Sequence, residues 1–326
     1  MLSRVANSIY WLSRYTERAE NVARFIDVNL QMILDLPHGS KEQWDPLVII
    51  TGDDEAFAVR YNGPSRDNVI RFLTFDLENP NSIISCMRAA RENARTVREA
   101  ISSEMWEQIN TCYLMVNAAA GDRSSMETPY QFFHEVKKAS QLFDGITDAT
   151  MLHDESWHFY RTGRFLERAE KTSRLLDVKY FILLPSIADV GTTLDDIQWG
   201  AVLRSASAFE MYRKRHGHIS PERIVDFLLL DDEFPRSVDY CLTRANESLH
   251  AISGTPSGTF RNPAEQHLGY LRAELAYTDV KQIIARGLHE FLDNLQSKLN
   301  RADHVIFDTF FALRPIGAGT VFQSAQ

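Results

Sequence analysis

Read for its apolar positions, the chain follows a helical period nearly throughout. From Tyr10 to Val28, Trp11, Tyr15, Ala19, Val22 and Ile26 fall on one face at about 100° per residue, with Leu12 and Ala23 beside them. Tyr10, Arg14, Glu17, Asn21 and Arg24 fall on the opposite face. The pattern predicts one helix from 3 to about 36, with Ser3 as N-cap and Pro37-His38-Gly39-Ser40 as the stop. Helical stretches follow over 44–61, interrupted near Gly52, from Ser65 to Phe75, and over 82–102, 104–119 and 128–148, the last with Pro129 in its first turn. Gly121 to Ser125 reads as a polar loop. A long helix returns over 153–184 and stops before Pro185. Helices over 263–277, 279–298 and 301–313 precede a loose tail from Pro315. No stretch shows sustained period-two alternation with β-branched enrichment, so the expected fold is all-α.

The pattern also repeats. YWLSRYTERAENVARFIDV (10–28) returns as YRTGRFLERAEKTSRLLDV (160–178), with nine identities at an offset of 150. They are Tyr10/Tyr160, Arg14/Arg164, Glu17/Glu167, Arg18/Arg168, Ala19/Ala169, Glu20/Glu170, Arg24/Arg174, Asp27/Asp177 and Val28/Val178. Trp44/Trp199, Ser65/Ser220, Phe72/Phe227, Asp76/Asp231, Pro80/Pro235, Cys86/Cys241 and Glu92/Glu247 continue the match at 155, which places the extra residues most simply between Pro185 and Thr193. A repeat this long exceeds a solenoid unit. It predicts two duplicated helical halves, 1–150 and 151–326, packed about a pseudo-two-fold axis as one compact unit.

Composition narrows the function classes. In 326 residues, 44% apolar content supports a sizeable core and 24% charged content is ordinary for a globular chain. The net charge of −9 argues against nucleic-acid binding and against docking on anionic lipid. Three scattered cysteines without a CxxC read as reduced thiols of a cytoplasmic protein. The start lacks a secretory pattern, and the longest apolar run is too short to span a bilayer.

The second copy keeps its charges while its apolar face drifts: Trp11 becomes Arg161 and Val22 becomes Thr172. Phe159, Leu166 and Leu175 surround those charges. Charges among apolar neighbours must be paired or must bind something. Three readings stay open: a structural Arg–Glu network, an anion or peptide site, and a solvated face. Arginine suits the site reading, because its planar fork holds carboxylate or phosphate in a bidentate way. The candidate ligand-binding residues are therefore Tyr10, Arg14, Glu17, Arg18, Arg24, Tyr160, Arg164, Glu167, Arg168 and Arg174.

Other chemistry is sparse. Glu155-x-x-His158 and Glu247-x-x-His250 have the spacing of ferritin-like di-metal ligands, but they occupy non-equivalent places in the repeat. His216-Gly217-His218 reads as a helix end, and Asp231-Asp232-Glu233 as a polar loop. Arg88, Arg91, Arg95 and Arg98 form a basic stripe read as an exposed face or a partner contact. GxGxxG, P-loop, GxSxG and HExxH motifs are absent, and no cofactor is expected.

The opening MLSRVANSIYWLSRYTERAENVARFID and the later FYRTGRFLERAEKTSRLLD resemble the alpha-E family across essentially the whole chain. The resemblance implies an all-helical fold with a Glu-Arg motif, here Glu17-Arg18 and Glu167-Arg168. It also implies genomic company with a circularly permuted ATP-grasp protein and a transglutaminase-like protease, and so a part in ATP-dependent ligation or modification of a peptide-like product. It carries over no catalytic residues. The leading expectation is an accessory or binding protein of such a system. A helical enzyme of the same pathway using Glu17 or Glu167 as acid or base is the alternative, followed by a di-metal carboxylate bundle.

Overall fold

A computed structural model describes residues 1–36, 42–122, 129–181 and 191–312. Among them the regular structure is entirely helical. The helices are α1 (Ser3–Asp35), α2 (Asp45–Thr51), α3 (Asp54–Arg60), α4 (Arg66–Thr74), α5 (Ile83–Thr96), α6 (Ser103–Gly121) and α7 (Pro129–Thr150). Then come α8 (Glu155–Phe181), α9 (Thr193–Ser205), α10 (Phe209–His216), α11 (Pro221–Leu229), α12 (Val238–Ser253), α13 (Pro263–Ala276), α14 (Val280–Arg286) and α15 (Leu288–Ile306). A π-helical turn, Phe307–Phe311, extends α15.

Two long helices organise the rest. α1, about 50 Å long at 1.5 Å per residue, packs along α8. α1 also packs on α5 and α7, with α6 bridging those two. α8 packs on α12 and α15, with α13 between those two. The short elements cross over: α9 lies on α1 and α2 lies on α8. One continuous apolar core, from Ile9 and Leu12 through Phe159 and Leu176 to Leu295, runs through both groups.

Side-chain caps explain most helix starts. Ser65, Ser82, Ser102, Thr192, Ser237 and Asn262 each accept a backbone N–H of the first turn. Gly52 separates α2 from α3, and Gly217 ends α10, both at positions expected from the sequence. Three boundaries differ from expectation. Ser3 is already helical, and Leu2 holds the cap position without a side-chain bond. The 82–102 stretch ends at Thr96, so that Ser102 is free to cap α6. The last break falls at Gly287, not near residue 300, and α15 runs unbroken to Ile306. Gly287 sits at φ +102°, a conformation that a residue with a Cβ rarely adopts, which is why the chain turns there. The expected stop at Pro37-His38-Gly39-Ser40, most of the loop from Gly121 to Ser125, the loop beyond Pro185 and the tail from Pro315 lie outside the described residues, or nearly so.

α1 is buried almost all round, its charged face more deeply than Trp11 and Tyr15. A solvated charged face is thereby excluded. None of the described helices is long and apolar enough to cross a membrane.

Candidate functional site

α1 and α8 are in close contact where Ser13 and Tyr10 meet Gly163. A Cβ on Gly163 would lie 2.4 Å from Ser13 Oγ and 2.5 Å from the Tyr10 carbonyl oxygen. Absence of a side chain there lets the two helices come near enough for their Glu-Arg pairs to meet. Arg168 donates from Nε to Glu17 Oε1 at 2.9 Å and from Nη2 to Oε2 at 2.6 Å. Arg18 donates from Nε to Glu167 Oε1 at 2.7 Å and from Nη2 to Oε2 at 2.8 Å. Each glutamate thus takes a complete arginine fork from the other helix, the strongest geometry open to this pair of side chains.

Further charges close round the forks. Arg14 donates to Glu167 at 2.9 Å and to Glu170 at 3.2 Å, and lies 2.5 Å from Asp303 of α15. Arg164 pairs with Asp144 of α7 at 2.9 Å, but its Nε is 3.9 Å from Glu17 and has no hydrogen-bond partner. The tyrosines follow the same scheme: Tyr10 donates to Asp303 and Tyr160 to Asp144, each at 2.5 Å. Arg174 donates to Glu170 at 3.0 Å, and Arg24 pairs with Glu20. The ten residues expected from the sequence are therefore brought into one network at the α1–α8 crossing and its flanks, buried except for the half-buried Arg18, Arg164 and Arg174.

The network has members that the repeat did not single out. Arg236, just before α12, donates to Glu17 at 2.9 Å, Asn21 at 3.2 Å and Glu20 at 2.8 Å. Its place in the other half of the alignment is held by Asn81, which accepts from Arg18 at 2.7 Å. Because these two differ, the identities pass over them, although each directly follows an aligned proline. Asp144 and Asp303 lie on helices where the repeat has faded, so no sequence signal marked them. Asp27 and Asp177 tie the crossing helices outward, to Lys137 of α7 at 2.5 Å and to His289 of α15 at 2.6 Å.

Electrostatics fix the protonation states. Burial alone would raise the Glu17 pKa, but Arg168 and Arg236 outweigh it and hold the carboxyl well below its ordinary value. For Glu167 the same burial is outweighed by Arg18 and Arg14. Asp144 goes the other way, because its burial is only partly offset by Arg164 and its pKa is raised. Burial pushes the Cys86 and Cys241 thiols, behind the crossing, up to about 12.

The second helix copy borders a cavity of about 620 Å³. Arg161, Arg164, Arg168 and Arg236 line it together with Glu20, Asp144 and Asp148. Trp157, Phe165 and Tyr240 supply its apolar wall. The corresponding side of the first copy is filled: Trp11 stands where α8 has Arg161, Asp303 covers Arg14, and Phe311 packs on Tyr10 at 5.4 Å.

The spaced Glu/His pairs are put to other uses. Glu155 meets the N-terminal ammonium at 2.7 Å, and His158 lies edge-on to Trp157. Glu247 pairs with Arg244 at 2.9 Å, and His250 Nδ1 is 3.2 Å from the Thr255 carbonyl oxygen. Among the described residues no three His, Cys, Asp or Glu side chains are grouped to hold a metal ion. In the basic stripe, Arg88, Arg95 and Arg98 are exposed, while Arg91 is half-buried and donates to Asn110 at 2.7 Å.

Comparison with known proteins places this architecture. Residues 1–311 match the model of the Alpha-E family, described as a predicted alpha-helical domain with a conserved ER motif. Uncharacterized proteins of Mycobacterium bovis and Mycobacterium tuberculosis are 23% identical over 336 aligned positions, which cover 95% of this chain. The chain spans 37% of the length of these relatives. No solved structure matches it.

Proposed function

This chain belongs to the Alpha-E family, and from that premise we propose that it is a non-catalytic accessory protein that binds a ligand or partner in an ATP-grasp-linked system of peptide ligation or modification. One observation carries the reading. Glu17 and Glu167, the residues best placed by sequence to act as acid or base, are each clamped by a full arginine fork in the interior. A general acid or base must exchange a proton near neutral pH and must reach its substrate. Carboxylates held ionised, at 2% and 0% exposure, do neither.

In this reading the Glu-Arg motifs are a brace and not the ligand site. The halves 1–150 and 151–326 are a duplication, and the exchanged forks lie about its pseudo-two-fold axis. The reciprocal partners, and the matching placement of Asp303 on Arg14 and Asp144 on Arg164, support this. Binding belongs to the open flank of α8, where the cavity lies. Three free, buried cysteines are in keeping with a cytoplasmic setting.

The test is co-expression with the ATP-grasp protein and the transglutaminase-like protein encoded alongside family members. A complex that survives purification, and product formation that depends on this chain, are expected. Failure of both, or turnover of a peptide-like substrate by this chain alone, would refute the proposal.

A further inference from the structure

The cavity beside α8 is not explained by the brace. Its arginines differ in how far the protein itself satisfies them. Arg168 is fully engaged by Glu17, and Arg236 by Glu17, Glu20 and Asn21. Arg164 spends one nitrogen on Asp144, turns its buried Nε towards Glu17 at 3.9 Å, and leaves the rest of its guanidinium 24% exposed to the cavity. Arg161 has no ion pair among the described residues. Its guanidinium lies over Trp157 at 4.6 Å and Phe165 at 5.4 Å, which steadies the group while leaving its N–H edge unused. Arg161 is more than half withdrawn from water, so hydration does not replace the missing partner in full.

Acceptors on the same wall are also left over. Glu20 is fully buried, and its Oε2 has no hydrogen-bond partner. Asp148 is 72% exposed at the mouth, and among the described residues its carboxylate's one ion-pair contact is His153, at 3.9 Å. A multiply charged anion such as phosphate entering this space meets Glu20, Asp144 and Asp148 as well as the arginines. A small ligand that carries both signs meets a partner for each.

We infer that this cavity binds a small zwitterion with the chemistry of an amino acid or short peptide. Its carboxylate lies on Arg161 and on the exposed part of the Arg164 guanidinium, and its ammonium faces Asp144 and Asp148. The volume, about 620 Å³, falls within the usual range for small-molecule sites. The first copy cannot form the same site, because Trp11 replaces Arg161 and Arg14 is covered by three carboxylates. The inference rests on the reading of this chain as a binding protein, but not on its proposed pathway.

The experiment is calorimetric titration of the isolated full chain with a panel of Ala-Xaa dipeptides covering every side chain, at up to millimolar concentration. The best binder is then compared with its N-acetyl form, its C-terminal amide and inorganic phosphate. The free dipeptide should bind tightest, and the amide weakest. Arg161→Gln should weaken the free dipeptide by about tenfold or more, since a charge-assisted bond is lost. Asp148→Asn should weaken the free dipeptide but not its N-acetyl form. Both variants alter partly exposed side chains, and an unchanged melting temperature will establish that they fold. The inference is overturned if no dipeptide binds, if phosphate binds more tightly than every dipeptide, or if Arg161→Gln leaves binding unchanged. Because the partner proteins are absent, a negative result here leaves the co-expression test standing, and the converse also holds.

Discussion

Glu17 of α1 and Arg168 of α8 are 151 residues apart in the chain and share two parallel N–H···O bonds, at 2.9 and 2.6 Å. The next residue of α1, Arg18, returns the same fork to Glu167, the residue before Arg168. Glutamate and arginine are thus adjacent in sequence so that each can point at its opposite on the facing helix. Removing one partner of a buried pair leaves an uncompensated charge, at a cost of about 3–5 kcal/mol. Glu17→Gln should lower the unfolding free energy by that amount in urea titration. The double variant Glu17→Gln with Arg168→Met should lose less than the sum of the two single variants, as a double-mutant cycle will show.

Acid should loosen the same crossing. Both glutamates titrate below their ordinary value in the folded chain, whereas the unfolded chain titrates near the glutamate reference of about 4.3. Their pairing therefore stabilises fully above that pH, and the stabilisation is lost as pH falls below it towards the folded value. Urea midpoints measured from neutral pH down past about pH 4 should fall, with a shallower fall in Glu17→Gln. An equally steep fall in the variant would place the acid sensitivity elsewhere.

Arg14 and Arg164 are equivalent in the alignment but not in load. Arg14 serves Glu167, Glu170 and Asp303, whereas Arg164 pairs closely with Asp144 alone and is 24% exposed. Arg14→Gln should cost about 3–5 kcal/mol, as for a buried pair. Arg164→Gln should cost no more than about 1–2 kcal/mol, because water reaches its site. Equal losses in chemical denaturation would contradict the asymmetry described above.

Gly163→Ala places a methyl group into backbone, against the Tyr10 carbonyl oxygen. The helices must move apart, at about 1–3 kcal/mol or more, and the forks lengthen with them. Gly145→Ala, on the exposed side of α7 with nothing within 4 Å of the new methyl, should instead be neutral or stabilising by up to about 1 kcal/mol. Melting temperatures of the two variants should shift in opposite directions or differ by several degrees.

Cys86, Cys112 and Cys241 are all buried and free, and burial pushes each thiol up to about 12. Thiolate is the reactive form. A disulfide reagent at mildly alkaline pH should label none of them rapidly in the native chain and all three once urea has unfolded it. Fast labelling of any one in the absence of denaturant would show that its surroundings open locally.

Much of this was legible in the sequence, for reasons that can be traced to particular residues. The helix start at Ser65 was readable because a hydroxyl before an apolar period has a local role. Ser3 misled because the same hydroxyl can sit inside the first turn. The break at Gly287 was missed because a conformation with positive φ is a property of the turn and leaves no period. On the wheel, Tyr10, Arg14 and Glu17 shared a face, which is correct, but a wheel has no second helix on it. Their partners became visible only with α8 in place. Arg236 was hidden by its mismatch with Asn81, and Asp144 and Asp303 by the decay of the repeat on the outer helices.

The exchanged forks also bear on how the chain is made. Until α8 has left the ribosome, Arg14, Glu17 and Arg18 lack the charged partners they have in the finished fold, and the first half offers them only the neutral Tyr10, Asn21 and Asn81. Water is an adequate partner for them, so the charged stripe keeps the nascent helix dispersed while its complement is synthesised. The residues that lock the finished interior thereby act as a solubility tag during translation, and the tag is withdrawn when the second copy docks.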